Sequence, residues 1–337
     1  MLVLYAFTGL ISGTLFQMYP TLQGYSFRGV AFTYLHMLLW LANITYFLLS
    51  GITSPKLYLL LNAVHLFLIA LNTRKLADPI VLFILMGSFS YFVAGFYSAN
   101  GNTLFLKHLI TVGYLMPIIT ASYYVFVPML QLEELRKRAL IWVNLLVQLF
   151  SSLLVPFSWY ISNYSLLTYS GFLQLPSVGV LSYAVYDTLS QRKSPLKGLD
   201  ISVKFLILGL FLCWFFLLLG IVMACTRDFK LFLLHSDGLL YGFLTTISVG
   251  TSYHILPFLF WWRLYAPRMG RERIPTLKEV LDVKVAERLL LLIPPTLTGL
   301  LLGDLLHPYL EKLFSFAFLF VITYYTFKIT PIVWRLK

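Results

Sequence analysis

The chain has 337 residues, of which 59% are apolar and only 11% charged. Soluble domains carry about 25% charged residues, so too little polar surface is available to solvate a globule, and lipid must be the main solvent. The net charge of +12 does not mark a nucleic-acid binder, because the basic residues are confined to particular loops.

A bilayer crossing needs roughly 20 predominantly apolar residues. That length predicts an all-α integral membrane protein of about eleven transmembrane helices, over 2–22, 30–51, 55–72, 78–98, 103–130, 139–161, 165–186, 201–226, 233–260, 285–305 and 310–333, in one polytopic domain spanning 1–337. The third span is short and the fifth is long enough to tilt. Most connections are short, so consecutive helices should pack as neighbours. The one long polar segment runs from Trp261 to Lys284. The first residues lack a basic n-region and lead straight into a span, so no cleavable leader is expected. Cys213 and Cys225 lie twelve positions apart in one apolar stretch. Twelve helical residues rise about 18 Å, which excludes a disulfide between them, and no zinc pattern is present.

Charge orients the helices. Arg28; Arg74 and Lys75; Arg136, Lys137 and Arg138; Arg192, Lys193, Lys197 and Lys204; the seven basic residues from Arg263 to Arg288; and Lys328, Arg335 and Lys337 hold 20 of the 25 Lys and Arg in one alternate set of loops. Lys56, Lys107, Arg227, Lys230 and Lys312 make up the other set. Cytoplasmic loops carry the basic excess. The N-terminus is therefore expected outside and the C-terminus in the cytoplasm, in a prokaryotic cytoplasmic membrane. The loop from Arg263 to Arg288 is read as setting topology, with docking of anionic headgroups or a partner as the other reading.

A motif recurs on every fourth span. Gly13 to Pro20 (GTLFQMYP), Ala121 to Pro128 (ASYYVFVP) and Gly250 to Pro257 (GTSYHILP) all read small, Ser or Thr, any, aromatic, three of any, Pro. Two copies carry a further small residue eight positions upstream, Gly113 and Gly242. Small residues at helical spacing let a neighbouring backbone or a flat ligand approach closely. The repeat implies three arcs of four helices with the first helix missing.

Intramembrane ionisable groups are costly and so are functional candidates. Of the six histidines, His307 falls in an outer loop. His36 and His254 fall toward inner ends, where water or headgroups can satisfy them. His65 sits nearer mid-span with no obvious partner. His108 and His235 stand apart: both begin outside-to-inside helices and both lie on copies of the repeat. Neutral imidazole is a good iron or copper ligand.

The ninth span, HSDGLLYGFLTTISVGTSYHILP, resembles the corresponding helix of subunit I of the haem-copper oxidases, most closely the cbb type and its nitric-oxide-reductase relatives. His235, Gly242, Phe243, Gly250, Tyr253 and Pro257 match at the family spacing, and Asp237 stands where the family has a second histidine. The fifth span, HLITVGYLMPIITASYYVFVP, is similar to the helix carrying the family's first copper ligand, with His108 in that place. Leu167 to Leu189 is more weakly similar to the helices after the copper site. The family's twelve helices in three arcs, less the first, would leave the eleven read here.

What the resemblance implies is limited by its departures. His235 would hold the iron of one b-type haem, with His108 on the distal side at a vestigial copper position. Copper itself is not expected, because VPFSW (Val155 to Trp159) replaces the family's adjacent histidines, and such a site needs about three nitrogens. Asp237 is either solvated or, in its protonated form or through a bridging cation, hydrogen-bonded to a haem propionate. Arg227 and Lys230 would pair with propionates or simply anchor the interface. The resemblance then implies a membrane protein that meets nitric oxide or oxygen, or serves a respiratory complex beside other subunits or a c-type cytochrome. If it is enzymatic, it is an oxidoreductase. A haem-free scaffold or assembly protein is the alternative. A transporter is the other, although Asp237 and Asp304 lie near outer ends and Asp187 and Glu287 near inner ends, away from the midplane where transport sites sit.

Overall fold

The computed structural model describes residues 2–99, 102–193, 198–280 and 283–334. Among the described residues all regular structure is helical. The long helices are α1 (Leu2–Gln23), α2 (Val30–Ser50), α3 (Pro55–Leu71), α4 (Pro79–Tyr97), α5 (Thr103–Gln131), α6 (Arg138–Tyr160), α7 (Tyr164–Ser190), α8 (Ile201–Thr226), α9 (Phe232–Asp237, Gly238–Leu244 and Thr245–Leu264 in one rod), α10 (Val283–Leu306) and α11 (Pro308–Trp334), with a 3-10 turn (Ala266–Arg268) and a one-turn helix (Leu277–Val280) between α9 and α10. Each apolar run read from the sequence is thus occupied by a helix. Lys197, Arg335 and Lys337, and the side chains of Lys278 and Asp304, lie outside the described residues.

Among the described residues eight helices (α2, α4, α5, α6, α8, α9, α10 and α11) are long and apolar enough to cross a membrane, and α3 is a shorter apolar helix. Their side chains are arranged inside-out relative to a soluble bundle. On α2 the buried residues include His36 and Asn43, while Leu38, Leu48 and Leu49 are exposed. On α6 Asn144, Gln148, Ser151, Ser152 and Ser158 are buried, while Leu146, Phe150, Leu153 and Phe157 are exposed. Polar groups inside and bare leucine and phenylalanine outside make sense only where the surroundings are hydrocarbon. The architecture is that of an all-helical integral membrane protein.

Helix ends follow local chemistry. Asp78, Asn102 and Asn163 accept backbone N–H bonds from Ile80, Phe105 and Leu166 at 2.9, 3.0 and 2.9 Å, serving as N-caps. Pro55 and Pro79 occupy first-turn positions, where the missing N–H costs nothing.

The chain divides into two compact units, Met1–Ser194 with Ile221–Asp228, and Pro195–Gly220 with Phe229–Lys337. In the first, the basic loops meet one another. Arg28 N donates to Asn72 Oδ1 at 2.7 Å, Asn72 Nδ2 donates to the Arg28 carbonyl at 3.0 Å, and Gln23 Oε1 accepts from the backbone of Arg74 and Lys75. The α1–α2 and α3–α4 loops are therefore locked together. The α5–α6 loop is fixed to the end of α7 in the same way, through Arg136 to Gln191 and Lys137 to Asp187 at 3.6 Å. A hydrogen bond from Lys137 to Tyr183 pushes this ammonium above its ordinary range.

A buried polar seam joins α5, α6 and α7. Asn144 Nδ2 donates to Tyr124 Oη at 2.6 Å, and Ser177 Oγ lies 2.7 Å from Asn144 Oδ1 and 2.5 Å from Gln148 Oε1. Gln148 Nε2 donates to Ser152 Oγ, which donates in turn to the Val112 carbonyl at 2.9 Å. Interhelical hydrogen bonds in membranes contribute about 0.6 to 2 kcal/mol each. Asn144→Leu, which breaks two of them, should lower the detergent unfolding free energy by roughly 1–3 kcal/mol. Phe150→Ala, on the lipid face, should change it by less than about 0.5 kcal/mol. Denaturant titration in micelles followed by Trp fluorescence checks both values.

Candidate functional site

Helices α5 and α9 share a feature that the sequence did not announce. Each contains a seven-residue π-helical turn, Leu109–Leu115 and Gly238–Leu244. One begins directly after His108 and the other directly after Asp237, and the fifth residue of each is the repeat's small residue, Gly113 or Gly242. Two copies of the motif thus carry the same backbone irregularity in the same register. α1 is α-helical throughout. A π turn widens the helix and loosens its carbonyl ladder, and such turns gather at functional sites. Here side chains take up the slack: Ser152 Oγ donates to Val112 O in the first turn, and Thr245 Oγ1 donates to Leu240 O at 3.1 Å in the second. In this register Asp237, not His235, is the counterpart of His108.

His235 lies half-buried in the first turns of α9. Its Nδ1 is 2.8 Å from the carbonyl of Phe216 on α8. A carbonyl can only accept, so Nδ1 carries the proton and the lone pair of the neutral ring is on Nε2. Two glycines permit this approach. A Cβ at Gly220 would stand 2.5 Å from His235 Cε1, and one at Gly238 would stand 2.0 Å from Phe216 Cε1. Each ring therefore lies against a bare stretch of the other helix. Gly242 likewise receives Leu297, and Gly250 receives Phe205. In this unit the repeat's small residues accept neighbouring side chains rather than leaving a slot for a flat ligand.

His108 belongs to the first unit and is also half-buried. Its Nδ1–H donates to Leu104 O of its own helix at 2.8 Å, and its ring lies against Trp159, 5.3 Å between centroids at 31°. Trp159 is the last residue of the VPFSW segment, so an indole stands beside the imidazole. Arg227 closes α8 in a left-handed conformation with φ of 55°, and its side chain is exposed, as is that of Lys230. Asp237 is half-buried. Asp187 is taken up by Lys137 and Gln191. Among the described residues no three His, Cys, Asp or Glu side chains are grouped to hold a metal ion.

Two histidines depart from expectation. His36 is 5% exposed, and its Nε2 has no hydrogen-bond partner among the described residues, so the side chain is buried in the protein rather than held at the interface. Helix α2 turns this residue inward, onto Phe16 and His65. His65 does have a partner: its Nε2 is 3.1 Å from Ser88 Oγ. The sequence signal for both was polar residues at i, i+3 or i+7 on otherwise apolar helices, as in His36 with Asn43 and Asn62 with His65. His307 Nδ1 accepts from Tyr309 N in the α10–α11 turn, and His254 stacks on Phe258.

The chain is 27% identical over 277 residues, 78% of its own length and 71% of the other's, to an uncharacterized protein of Aquifex aeolicus (strain VF5). No family model matches the chain. No solved structure is significantly similar to it.

If the ring-on-glycine contacts lock α8 to α9, Gly238→Ala should cost about 1–3 kcal/mol through overpacking. Gly238→Ala with Phe216→Ala should cost less than the sum of the single changes, because the second truncation vacates the space the new methyl needs. Thermal unfolding of the three variants in detergent gives the coupling.

Proposed function

We propose that this protein is a divergent relative of haem-copper oxidase subunit I that binds one b-type haem through His235 and meets a small gas, nitric oxide or oxygen, in the service of a respiratory chain. The observation that carries the reading is the bond from His235 Nδ1 to the Phe216 carbonyl at 2.8 Å. It presents the Nε2 lone pair, and a backbone-held imidazole of this tautomer is the form that ligates iron. A bound haem would supply an iron with one face for a gas. This chain would supply the ligating nitrogen of His235, the low-dielectric surroundings, Lys230 as a cationic partner for the propionates, and Asp237 as a hydrogen-bond donor to them in its protonated form.

Other features support the same reading. The matched π turns of α5 and α9 accord with an internal repeat of four-helix units, the repeat on which the reading of eleven crossings in three arcs rests. The contacts between the Arg28 and Arg74 loops accord with one basic face, read as cytoplasmic, and with an N-terminus outside. His108 keeps the place of the family's first copper ligand, but its neighbour Trp159 offers no lone pair for a metal, so copper there is not part of the proposal. Partners would be membrane lipid, other respiratory subunits or a c-type cytochrome.

A haem-free scaffold or assembly role is favoured by a different observation. His235 on Gly220 and Phe216 on Gly238 also serve as ordinary helix fasteners. Transport has less support, since Asp187, the acid at the inner end of α7, is neutralised by Lys137.

Optical spectra of the detergent-purified protein separate the two main readings. The proposal expects a b-type Soret band of one haem per chain that shifts with carbon monoxide in the reduced state. The band should be lost in His235→Ala, and His307→Ala should be unaffected. Absence of a Soret band after haem reconstitution, or its persistence in His235→Ala, would leave the scaffold reading.

A further inference from the structure

The His36–His65 pair lies in the first unit, outside every position the haem reading uses. The two ring centroids are 5.5 Å apart, with the ring planes inclined at 48°. Both side chains are more than nine-tenths buried, at 5% and 0% exposure, and each has an unpartnered nitrogen, His36 Nε2 and His65 Nδ1. Two buried imidazole nitrogens with no protein partner are costly unless something else binds them. They come from different helices, α2 and α3, and are held by packing on all sides. Phe16 lies against both rings, at 5.1 and 5.4 Å, and Tyr91 and Tyr114 lie edge-on to His65 at 5.4 Å each.

We propose that His36 and His65 form a two-imidazole binding site for a monovalent soft-metal ion, Cu(I) being the one whose chemistry fits. Rings 5.5 Å apart can both reach one ion at imidazole–metal bond lengths of about 2 Å. With His65 Nδ1 as ligand, Nε2–H donates to Ser88 Oγ at 3.1 Å, the outer contact that fixes the tautomer of a ligating histidine. Charge selects the ion. Up to Gln131 the chain holds one acid, Asp78, and it caps α4. A divalent ion would remain uncompensated, and desolvation cost rises with the square of charge, so a single positive charge is far less costly here. Imidazole suits copper, and Cu(I) accepts two ligands without a carboxylate. The surrounding Phe and Tyr rings exclude bulk water and so protect the reduced ion.

The test is an anaerobic titration of the chelator-washed full-length protein in detergent with Cu(I), in competition with bicinchoninate. One Cu(I) per chain is expected. Its affinity should fall at least tenfold in His36→Phe and in His65→Phe, and stay unchanged in His307→Ala and in the Cys213→Ser/Cys225→Ser double variant. Ag(I) should compete and Zn(II) should not. The copper K-edge spectrum of the wild type should show imidazole scattering and no sulfur, a readout independent of whether the His→Phe variants fold. No stoichiometric copper on the wild type, as expected if a bridging water satisfies both nitrogens, would overturn the proposal. So would sulfur in the copper shell, or copper retained in both His variants.

Discussion

Hydrocarbon offers no hydrogen bonds, so every polar group within a bilayer must find its partner in the protein. The arrangement of the first unit follows from that constraint. Asn144, Gln148, Ser152 and Ser177 turn inward and are joined to one another, while Leu146, Phe150 and Leu153 of the same helix turn outward. The π turns obey it as well. Each loosens its own ladder, and each has a hydroxyl at hand, Ser152 from a neighbouring helix in one case and Thr245 from the same helix in the other. At His36 Nε2 and His65 Nδ1, two buried nitrogens without a protein partner, the proposed ion would satisfy the same constraint.

The two histidines singled out by resemblance differ in how they are held. His108 gives its Nδ1 proton to its own helix and lies on Trp159, contacts that any packed membrane histidine can make. His235 gives its proton to a different helix, and two glycines are needed to bring the rings and backbones that close. That arrangement fixes ring orientation and tautomer together. This contact between helices is why His235 carries the proposed reading while His108 does not.

The helices were legible because an apolar run of bilayer length has few other uses, and Pro55, Pro79, Asp78 and Asn163 mark where runs begin. The bland character of His307 was legible from its loop. The inward turn of His36 was not: depth along a span can be read from sequence, but which face of α2 meets α1 and α3 depends on packing between helices far apart in the chain. His65 and Ser88 pair across a similar gap. The π turns were hidden for another reason. Gly113 and Gly242 were visible as repeated small residues, yet nothing in their spacing distinguishes a widened turn from an ordinary one; the repeat's own offset already pairs His108 with Asp237, and the backbone repeats that register.

The central proposal is that His235 would ligate a haem iron, made ready by the Phe216 carbonyl. Resonance Raman spectroscopy of the ferrous protein tests it most directly. The account predicts an iron–histidine stretching band typical of a hydrogen-bonded imidazole, lost in His235→Gly and restored when free imidazole is added. A ferrous haem with no such band, or a band unchanged in His235→Gly, would contradict it.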